Sequence, residues 1–228
     1  MELIVCENVS EIPELPQSLK RLICDRCPLL TTLPELPQSL KILWCSNCTS
    51  LTILPKLSQS LTHLNCYNCP LTTLPELPQS LTRLNCIRCP LLNTLPELPQ
   101  SLKELDCSEC PLLTTLPALP QSLKELDCIN CSLLITIPEL PQLFRILDCS
   151  NCVNLIFISE SVEKYISPVL QETINSNYLK WRQEQTLKWF SSKTGLLYED
   201  LIRKTWHPDR VVDWCWDTEE VKWFKLLP

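Results

Sequence analysis

The sequence predicts a repeat solenoid, in which short parallel strands line a concave face and extended, polyproline-like segments form the return of each coil. A first observation is the repeat of Leu-Pro-Glu-Leu-Pro-Gln-Ser-Leu followed by Leu-x-Cys-x-x-Cys, whose first Cys recurs at steps of 21, 21, 20, 21, 21 and 21 residues. A second is the spacing of Leu102, Leu105 and Cys107, which is typical of a short strand with one buried face. A third is the paired prolines of each return, which remove backbone donors, fix φ and exclude a helix.

Each repeat also contains the signals that close it into a coil. In one of them the chain turns at Cys110-Pro111 and returns through Leu113, Leu116 and Leu119. A single coil cannot bury its leucines alone, so we expect the coils to stack, with strands paired in a parallel sheet over a continuous core. An earlier, degenerate coil holds Cys6, with Val9 at the position of the second Cys.

The repeat motif resembles known sequences. Leu-x-x-Leu-x-Cys-x-x-Cys resembles the leucine-rich-repeat consensus, and the Leu-Pro-x-Leu-Pro return is similar to the short repeats of secreted bacterial ubiquitin ligases. The repeat sequence LPELPQSLKELDCSECPLL is most similar to repeat proteins of giant DNA viruses. The resemblance extends from the first residues to about Leu155. It implies a leucine-rich-repeat fold and an intracellular location, in the host cytoplasm or the virion, but it does not identify a function.

Composition excludes several classes of function. The chain has a single glycine, Gly195, beside 20 prolines, so it lacks the Gly-rich phosphate loop of Rossmann and P-loop nucleotide enzymes. The net charge of −6 predicts no nucleic-acid partner. The first residues show neither a signal peptide nor a membrane-spanning pattern, so we expect no membrane association. In a reducing compartment the 16 cysteines are expected to be free or to bind metal.

The outward-facing strand positions vary between repeats, whereas the returns are nearly constant. The first column of varying residues is predicted to be Arg21, Ile42, His63, Arg83, Glu104, Glu125 and Arg145. The second is Ile23, Trp44, Asn65, Asn85, Asp106, Asp127 and Asp148. The third, just past the strand, is Arg26, Asn47, Asn68, Arg88, Glu109, Asn130 and Asn151.

These columns predict a polarised concave face, with a basic and apolar N-terminal half and an acidic C-terminal half. Such a face steers charged partners, and the exposed Trp44 is a candidate hot spot. A solvated face copied by repeat duplication is the alternative. The predicted partner-binding residues, which would contact a protein, are Arg21, Ile42, Trp44, His63, Arg83, Glu104, Asp106, Glu125, Asp127 and Asp148.

The Cys-x-x-Cys pairs are predicted to point inward and to form two parallel columns of thiols. Neighbouring coils would place four sulfurs in a square with edges of about 5 Å, which could hold zinc or an iron–sulfur cluster. The favoured interpretation is buried free thiols without a cofactor, since Cys behaves as a small apolar residue, and disulfides are a third alternative. The candidate metal ligands are Cys24, Cys27, Cys45, Cys48, Cys66, Cys69, Cys86, Cys89, Cys107, Cys110, Cys128, Cys131, Cys149 and Cys152.

The composition changes near Ser159, which predicts a repeat domain over residues 1–158 and a helical C-terminal capping region over residues 159–228. Ser167-Pro168 is a good cap and first-turn pair, and the stretch from Val169 to Phe190 is predicted to form one or two helices, which Gly195 would end. The tail is expected to cover the open end of the solenoid, where a last coil exposes leucines and a strand edge.

A Trp-rich motif in the tail raises the question of catalysis. His207 and Cys215 could form a nucleophile pair, and Cys215-x-Asp217 resembles the catalytic motif of the bacterial ligases, which carry it in a far larger helical domain. We expect packing rather than catalysis, and therefore no enzyme. The predicted function is a protein-interaction module, with a metal-binding solenoid as the alternative and a ubiquitin-ligase-like protein as the second alternative.

Overall fold

The computed structural model describes residues 1–4, 9–158 and 168–193. The chain divides into two units, Met1–Ile174 and Asn175–Pro228. Cys6, Gly195, His207 and Cys215 lie outside the described residues, so the expected packing role of His207 and Cys215 and the capping role of the tail stay predictions.

The strands of the solenoid are short and regularly spaced along the chain. They are β1 (Glu2–Ile4), β2 (Arg21–Ile23), β3 (Ile42–Trp44), β4 (His63–Asn65), β5 (Arg83–Asn85), β6 (Glu104–Asp106), β7 (Glu125–Asp127), β8 (Thr136–Ile137), β9 (Ile146–Asp148) and β10 (Phe157–Ile158). Eight of them form one parallel sheet in the order β1-β2-β3-β4-β5-β6-β7-β9. The predicted stacking of coils is therefore confirmed.

The sheet register repeats from coil to coil. Leu22 pairs with Leu43, and Leu105 pairs with Leu126, so equivalent side chains lie above one another. The pairing of β7 with β9 shows that the last residue of the predicted first column was wrong, because Glu125 pairs with Ile146 and not with Arg145. Ile146 stands three residues before Cys149, just as Glu104 stands three residues before Cys107. The Ile146 side chain is 51% exposed.

Two turns in each coil explain why the strands contain only three residues. The predicted strand through Leu102 is shortened at its start, because the Leu102 N–H donates to the carbonyl oxygen of Pro99 across a turn (3.0 Å). At the other end of a coil, the Leu30 N–H donates to the Cys27 carbonyl oxygen (3.1 Å). Pro28 follows Cys27 at the second turn position, where a fixed φ is favourable.

The core is continuous through the stack. From the second coil onward, each coil contributes a central strand leucine such as Leu105, two cysteines and return leucines such as Leu113 and Leu116, and these are buried. The 14 cysteines among the described residues are buried and free, so the prediction that both columns point inward is confirmed. Removing a large buried side chain here, as in Leu105→Ala, is expected to cost about 2–5 kcal/mol.

The returns contain no helix within residues 9–158, in agreement with the paired prolines. Near the C-terminal end of the solenoid two returns pair in a small parallel sheet of β8 and β10. The segment Ile135-Thr136-Ile137 is rich in β-branched residues, which favour this local pairing. The sequence analysis did not predict this second sheet.

Helix α1 spans Pro168–Lys193, and its predicted start is confirmed. Pro168 occupies the first turn, where its missing N–H has no intrahelical partner to lose. Tyr178 and Trp181, three residues apart on α1, stack with ring centroids 6.2 Å apart. None of the described helical residues forms a segment long and apolar enough to cross a membrane.

Candidate partner-binding groove

The side chains on either side of the buried central leucine of each strand form the concave face of the sheet. On this face lies a groove of about 300 Å³. Its walls come from five consecutive strands, β3 to β7, so its shape is set by the register of the coils. It is lined by Trp44, His63, Leu64, Asn65, Arg83, Leu84, Asn85, Glu104, Leu105, Asp106, Glu125 and Asp127.

The groove brings together seven of the ten predicted partner-binding residues. Arg21, Ile42 and Asp148 lie on the same sheet but not in its lining. The groove also contains Asn65 and Asn85, to which the sequence analysis gave no role. Their position in the second column, between Trp44 and Asp106, was the signal that could have identified them.

The positive charges of the N-terminal half are compensated by neighbouring groups. Arg21 pairs with Glu2 (3.5 Å), and its guanidinium lies over the Trp44 ring, 5.8 Å from the centroid. Arg83 pairs with Glu104 at 2.9 Å. This half is therefore less basic than its composition predicts, and its main feature is Trp44, which is 38% exposed.

His63 adds no positive charge near neutral pH. Burial and the positive charge of Arg83 lower its pKa, while Glu104 acts in the opposite direction. Its Nδ1 lies 2.8 Å from the Thr62 hydroxyl. A neutral imidazole in the floor of the groove can either donate or accept a hydrogen bond.

The polar residues of the second column have a structural role that the sequence analysis missed. The Asn65 Oδ1 accepts the Tyr67 N–H (3.0 Å), and the Asn85 Oδ1 accepts the Ile87 N–H (3.2 Å). Asp106 and Asp148 accept the N–H two residues further on in the same way, at 3.1 and 3.0 Å. These Asx turns satisfy a backbone donor where the strand ends.

Asp127 differs from its neighbours in the column. The equivalent N–H, that of Ile129, donates instead to the hydroxyl oxygen of Ser108 from the preceding coil (3.2 Å). Among the described residues the buried polar side chains are those of Ser58 and Ser108. The Asp127 carboxylate is therefore not required by the turn, although it lines the groove.

Negative charge accumulates in the C-terminal half of the groove. Burial raises the pKa of Asp127, and so do the neighbouring carboxylates of Asp106, Asp148 and Glu125. Burial also raises the pKa of Asp106, against the effect of its hydrogen bond with Ser108. Both shifts indicate that these carboxylates lie close together with incomplete solvation, a site that favours a cation.

The third column forms a ladder beside the groove. All seven of its residues have positive φ, between 54° and 61°. The Asn68 Nδ2 donates to Asn47 (3.1 Å), and the Asn47 Nδ2 donates to Asp25 (3.2 Å). Asn accommodates this left-handed conformation better than Arg or Glu, so Arg26, Arg88 and Glu109 occupy it at a conformational cost.

A second recess adjoins the groove on the side of this ladder. It measures about 490 Å³ and shares Trp44, Asn65 and Asn85 with the groove. Tyr67 lies in its lining, with Arg88 over the ring at 5.8 Å from the centroid and also bonded to Glu109 (2.7 Å). Trp44 therefore contributes to both recesses.

The thiols of the core are hydrogen-bond donors. The second Cys of a coil donates to the carbonyl oxygen of the first Cys in the preceding coil, as Cys48 does to Cys24 (2.9 Å) and Cys131 to Cys107 (3.1 Å). Burial, with Cys128 and Asp148, raises the pKa of the Cys149 thiol from 9.0 to about 12. The Cys149 thiol is therefore protonated at neutral pH and has low reactivity.

Within the part of the chain that the structure describes, no three or more His, Cys, Asp or Glu side chains are grouped so that they could hold a metal ion. The thiol columns do bring the candidate ligands of neighbouring coils together, but with their S–H groups directed at backbone carbonyls. Whether zinc or an iron–sulfur cluster binds there stays a prediction, which metal analysis tests.

One exposed apolar strip lies away from the groove. In the Cys-Pro-Leu-Leu turns, and in the Cys-Ser-Leu-Leu turn of residues 131–134, the second leucine enters the core, as Leu113 does, while the first stays outside. Leu91, Leu112 and Leu133 are 41–43% exposed in three consecutive coils. We call these three residues the leucine strip. The two adjacent leucines of each turn were its signal in the sequence, since only one can face the core.

Comparison with known proteins agrees with this geometry. Residues 60–81 and 101–123 match the family model described as Leucine Rich Repeat. The chain is a leucine-rich-repeat solenoid. It shares 34% identity and a TM-score of 0.59 with YopM from Yersinia enterocolitica WA-314, over 67% of this chain and 33% of that one. The comparison with curated proteins gives no match.

Two further solved structures resemble the leucine-rich-repeat solenoid. A Shigella effector LRR domain is 32% identical with a TM-score of 0.55, over 62% of each chain. YopM, a leucine-rich effector protein from Yersinia pestis, is 30% identical with a TM-score of 0.51, over 68% of this chain and 52% of that one. The solenoid thus spans between a third and about three fifths of the relatives it resembles.

Proposed function

We propose that this chain is a non-enzymatic protein-interaction module that binds a protein partner through its concave face. The observation that carries the proposal is the groove from Trp44 to Asp127, where varying side chains are presented on an invariant stack of coils. A rigid scaffold with variable surface positions is suited to binding. The resemblance to an effector LRR domain and to YopM supports an interaction role.

Trp44 is expected to supply much of the binding energy. Its ring is held by the Arg21 guanidinium and by its position on β3, so little side-chain entropy is lost when a partner covers it. A tryptophan in such a position typically contributes more than about 2 kcal/mol, or roughly 30-fold in affinity.

The hydrogen bonds of the turns decide which aspartate of the groove is suitable for a test. Asp106 caps a turn, so its replacement would change folding and binding together. Asp127 does not cap its own turn, because Ser108 occupies that position. Asp127→Asn therefore removes a charge from the groove while leaving the backbone hydrogen bonds in place.

Capture of partners by the full chain tests the proposal with two matched double variants. Trp44→Ala with Asp127→Asn alters the groove, whereas Leu112→Ser with Leu133→Ser alters the leucine strip. We expect a partner that the wild type and the leucine-strip variant retain equally, and that the groove variant loses. Circular dichroism and thermal unfolding check that both variants fold. A partner lost by the leucine-strip variant and retained by the groove variant would contradict the proposal.

The proposal also includes the location of the protein in the cell or the virion. We place the protein in a reducing interior, the host cytoplasm or the virion, because its described cysteines are suited to remaining free. The resemblance to giant-virus repeat proteins supports that location. The acidic groove and the net charge of −6 favour a protein partner over a nucleic acid.

A further inference from the structure

We infer that the partner enters the groove as an extended segment with an apolar residue at one end and a Lys or Arg at the other. Its apolar side chain contacts Trp44, its main-chain carbonyls accept hydrogen bonds from Asn65 and Asn85, and its cation lies between Asp106 and Asp127. This inference rests on the proposed function and specifies the partner that fits the same groove.

The two asparagines provide donors of fixed orientation. Each Oδ1 accepts a backbone N–H of its own turn, so the Nδ2 of each is on the opposite side of the amide. Neither Nδ2 group donates to another group among the described residues, and both residues line the groove. Donors in this arrangement are open to acceptors from a ligand, and the carbonyls of a peptide chain are such acceptors.

The dimensions of the groove favour a single extended chain. Trp44 and Asp127 are separated by four strand-to-strand steps, or roughly 19 Å. An extended peptide covers this distance with about six residues at about 3.3 Å per residue. The main-chain carbonyls of an α-helix are already paired within the helix, so a helical partner would not offer them to Asn65 and Asn85.

The negative charge of the groove near Asp127 determines which residue the partner places there. Glu104 is paired with Arg83, but Asp106, Glu125, Asp127 and Asp148 crowd together with no cation of the sheet beside them among the described ion pairs. Asp127 also has no turn to cap. A Lys or Arg of the partner placed here neutralises repelling carboxylates, so charge complementarity favours a basic segment.

The test uses the full chain and a labelled peptide of about ten residues, with one phenylalanine, four Gly or Ser residues and then two lysines. Binding is followed by fluorescence anisotropy. We expect Asp127→Asn to weaken binding about tenfold. We expect Asn85→Asp to weaken it as well, since the substitution removes the Nδ2 donor and keeps the oxygen that accepts the Ile87 N–H. Asp106 already plays that turn role in the next coil, so the variant should fold.

The sign of the Asn85→Asp effect separates hydrogen bonding from simple attraction. A purely electrostatic groove would bind the basic peptide more tightly after Asn85→Asp, because the variant gains a negative charge. Asn93→Asp adds the same charge on an exposed return residue, outside the groove lining, and should leave affinity unchanged. Equal or tighter binding by Asn85→Asp would overturn the inference.

Two further results distinguish this inference from the proposed function. No binding of the peptide at millimolar concentration, together with a protein captured through the groove, would overturn the extended basic segment and leave the interaction function standing. Equal binding of a matched peptide with glutamates in place of the lysines would overturn the charge assignment. Loss of both peptide binding and groove-dependent capture would count against the proposed function itself.

Discussion

The hydroxyl oxygen of Ser108 accepts the backbone N–H of Ile129, one coil further along, at 3.2 Å. In the neighbouring coils an aspartate of the second column accepts the equivalent N–H, as Asp106 does for Ser108 and Asp148 does for Ser150. A buried serine therefore replaces a surface carboxylate in one coil. This leaves Asp127 available to a partner, because the backbone of its own turn does not need it.

Stability measurements distinguish the two aspartates. Asp106→Ala leaves the Ser108 N–H without its acceptor and is expected to cost about 1 kcal/mol. Asp127→Ala should leave stability unchanged or raise it slightly, because it removes repulsion with Asp106, Glu125 and Asp148. Urea unfolding measures both. Equal losses for the two variants would contradict the assignment of the turn to Ser108.

Arg26 is expected to be a poor residue at its position. It has a φ of 57°, where Asn is found in four other coils of the third column. Its ion pair with Asp25 is long (3.9 Å) and exposed, so it contributes little. Arg26→Asn should raise the free energy of unfolding by up to about 1 kcal/mol. Lys41→Asn is the exposed control without positive φ, and equal effects from the two substitutions would refute the conformational explanation.

The buried thiols predict a loss of stability in alkali. The pKa of Cys149 rises from 9.0 to about 12, because burial and the nearby Cys128 and Asp148 disfavour the thiolate. A hydrogen bond with Cys131 and burial likewise raise the pKa of Cys107 well above its ordinary value. Unfolded thiols lose their protons first, so the stabilisation is complete below pH 9 and is lost as pH rises toward 12. Each thiol whose pKa is raised in this way, such as Cys149 or Cys107, contributes a slope of up to about 1.4 kcal/mol per pH unit.

A comparison of unfolding between pH 9 and pH 10.5 tests this account. Cys149→Ser removes one titrating group, so the variant should show a smaller fall in stability than the wild type over this interval. Native thiols should also react slowly with a thiol reagent and completely after unfolding. A wild type whose stability is independent of pH in this range would show that the thiols are not buried as described.

Metal content tests the alternative for the cysteine columns. Protein purified anaerobically without added metal is expected to be colourless and to contain almost no zinc or iron by mass spectrometry. The reason is that S–H groups such as those of Cys48 and Cys131 are committed to backbone carbonyls. A constant ratio of zinc or iron to protein would contradict this expectation and support the metal-binding solenoid.

The repeat spacing was sufficient to predict the stacked coils, the parallel sheet and the buried cysteines, because a regular period places equivalent residues above one another. It also placed Trp44, Asp106 and Asp127 on one face. The period alone could not show which carboxylates accept a backbone N–H, since that depends on hydrogen bonds between coils. The role of Ser108 is such a case, because it supports a turn 21 residues away.

Charge was harder to predict than position. Arg21, His63 and Arg83 predicted a basic half of the concave face. Ion pairs compensate both arginines, and burial together with the positive charge of Arg83 lowers the pKa of His63. The predicted position of Arg145 in the first column was wrong, because the sheet has Ile146 there. These features depend on which side chains meet across strands, which composition does not specify.

The most direct measurement is quantitative capture of a partner by the wild type, the Trp44→Ala with Asp127→Asn variant and the Leu112→Ser with Leu133→Ser variant at equal concentrations. If the concave groove is the binding site, the groove variant should lose at least nine tenths of the bound partner and the leucine-strip variant should lose almost none. Undiminished capture by a folded groove variant would contradict the account.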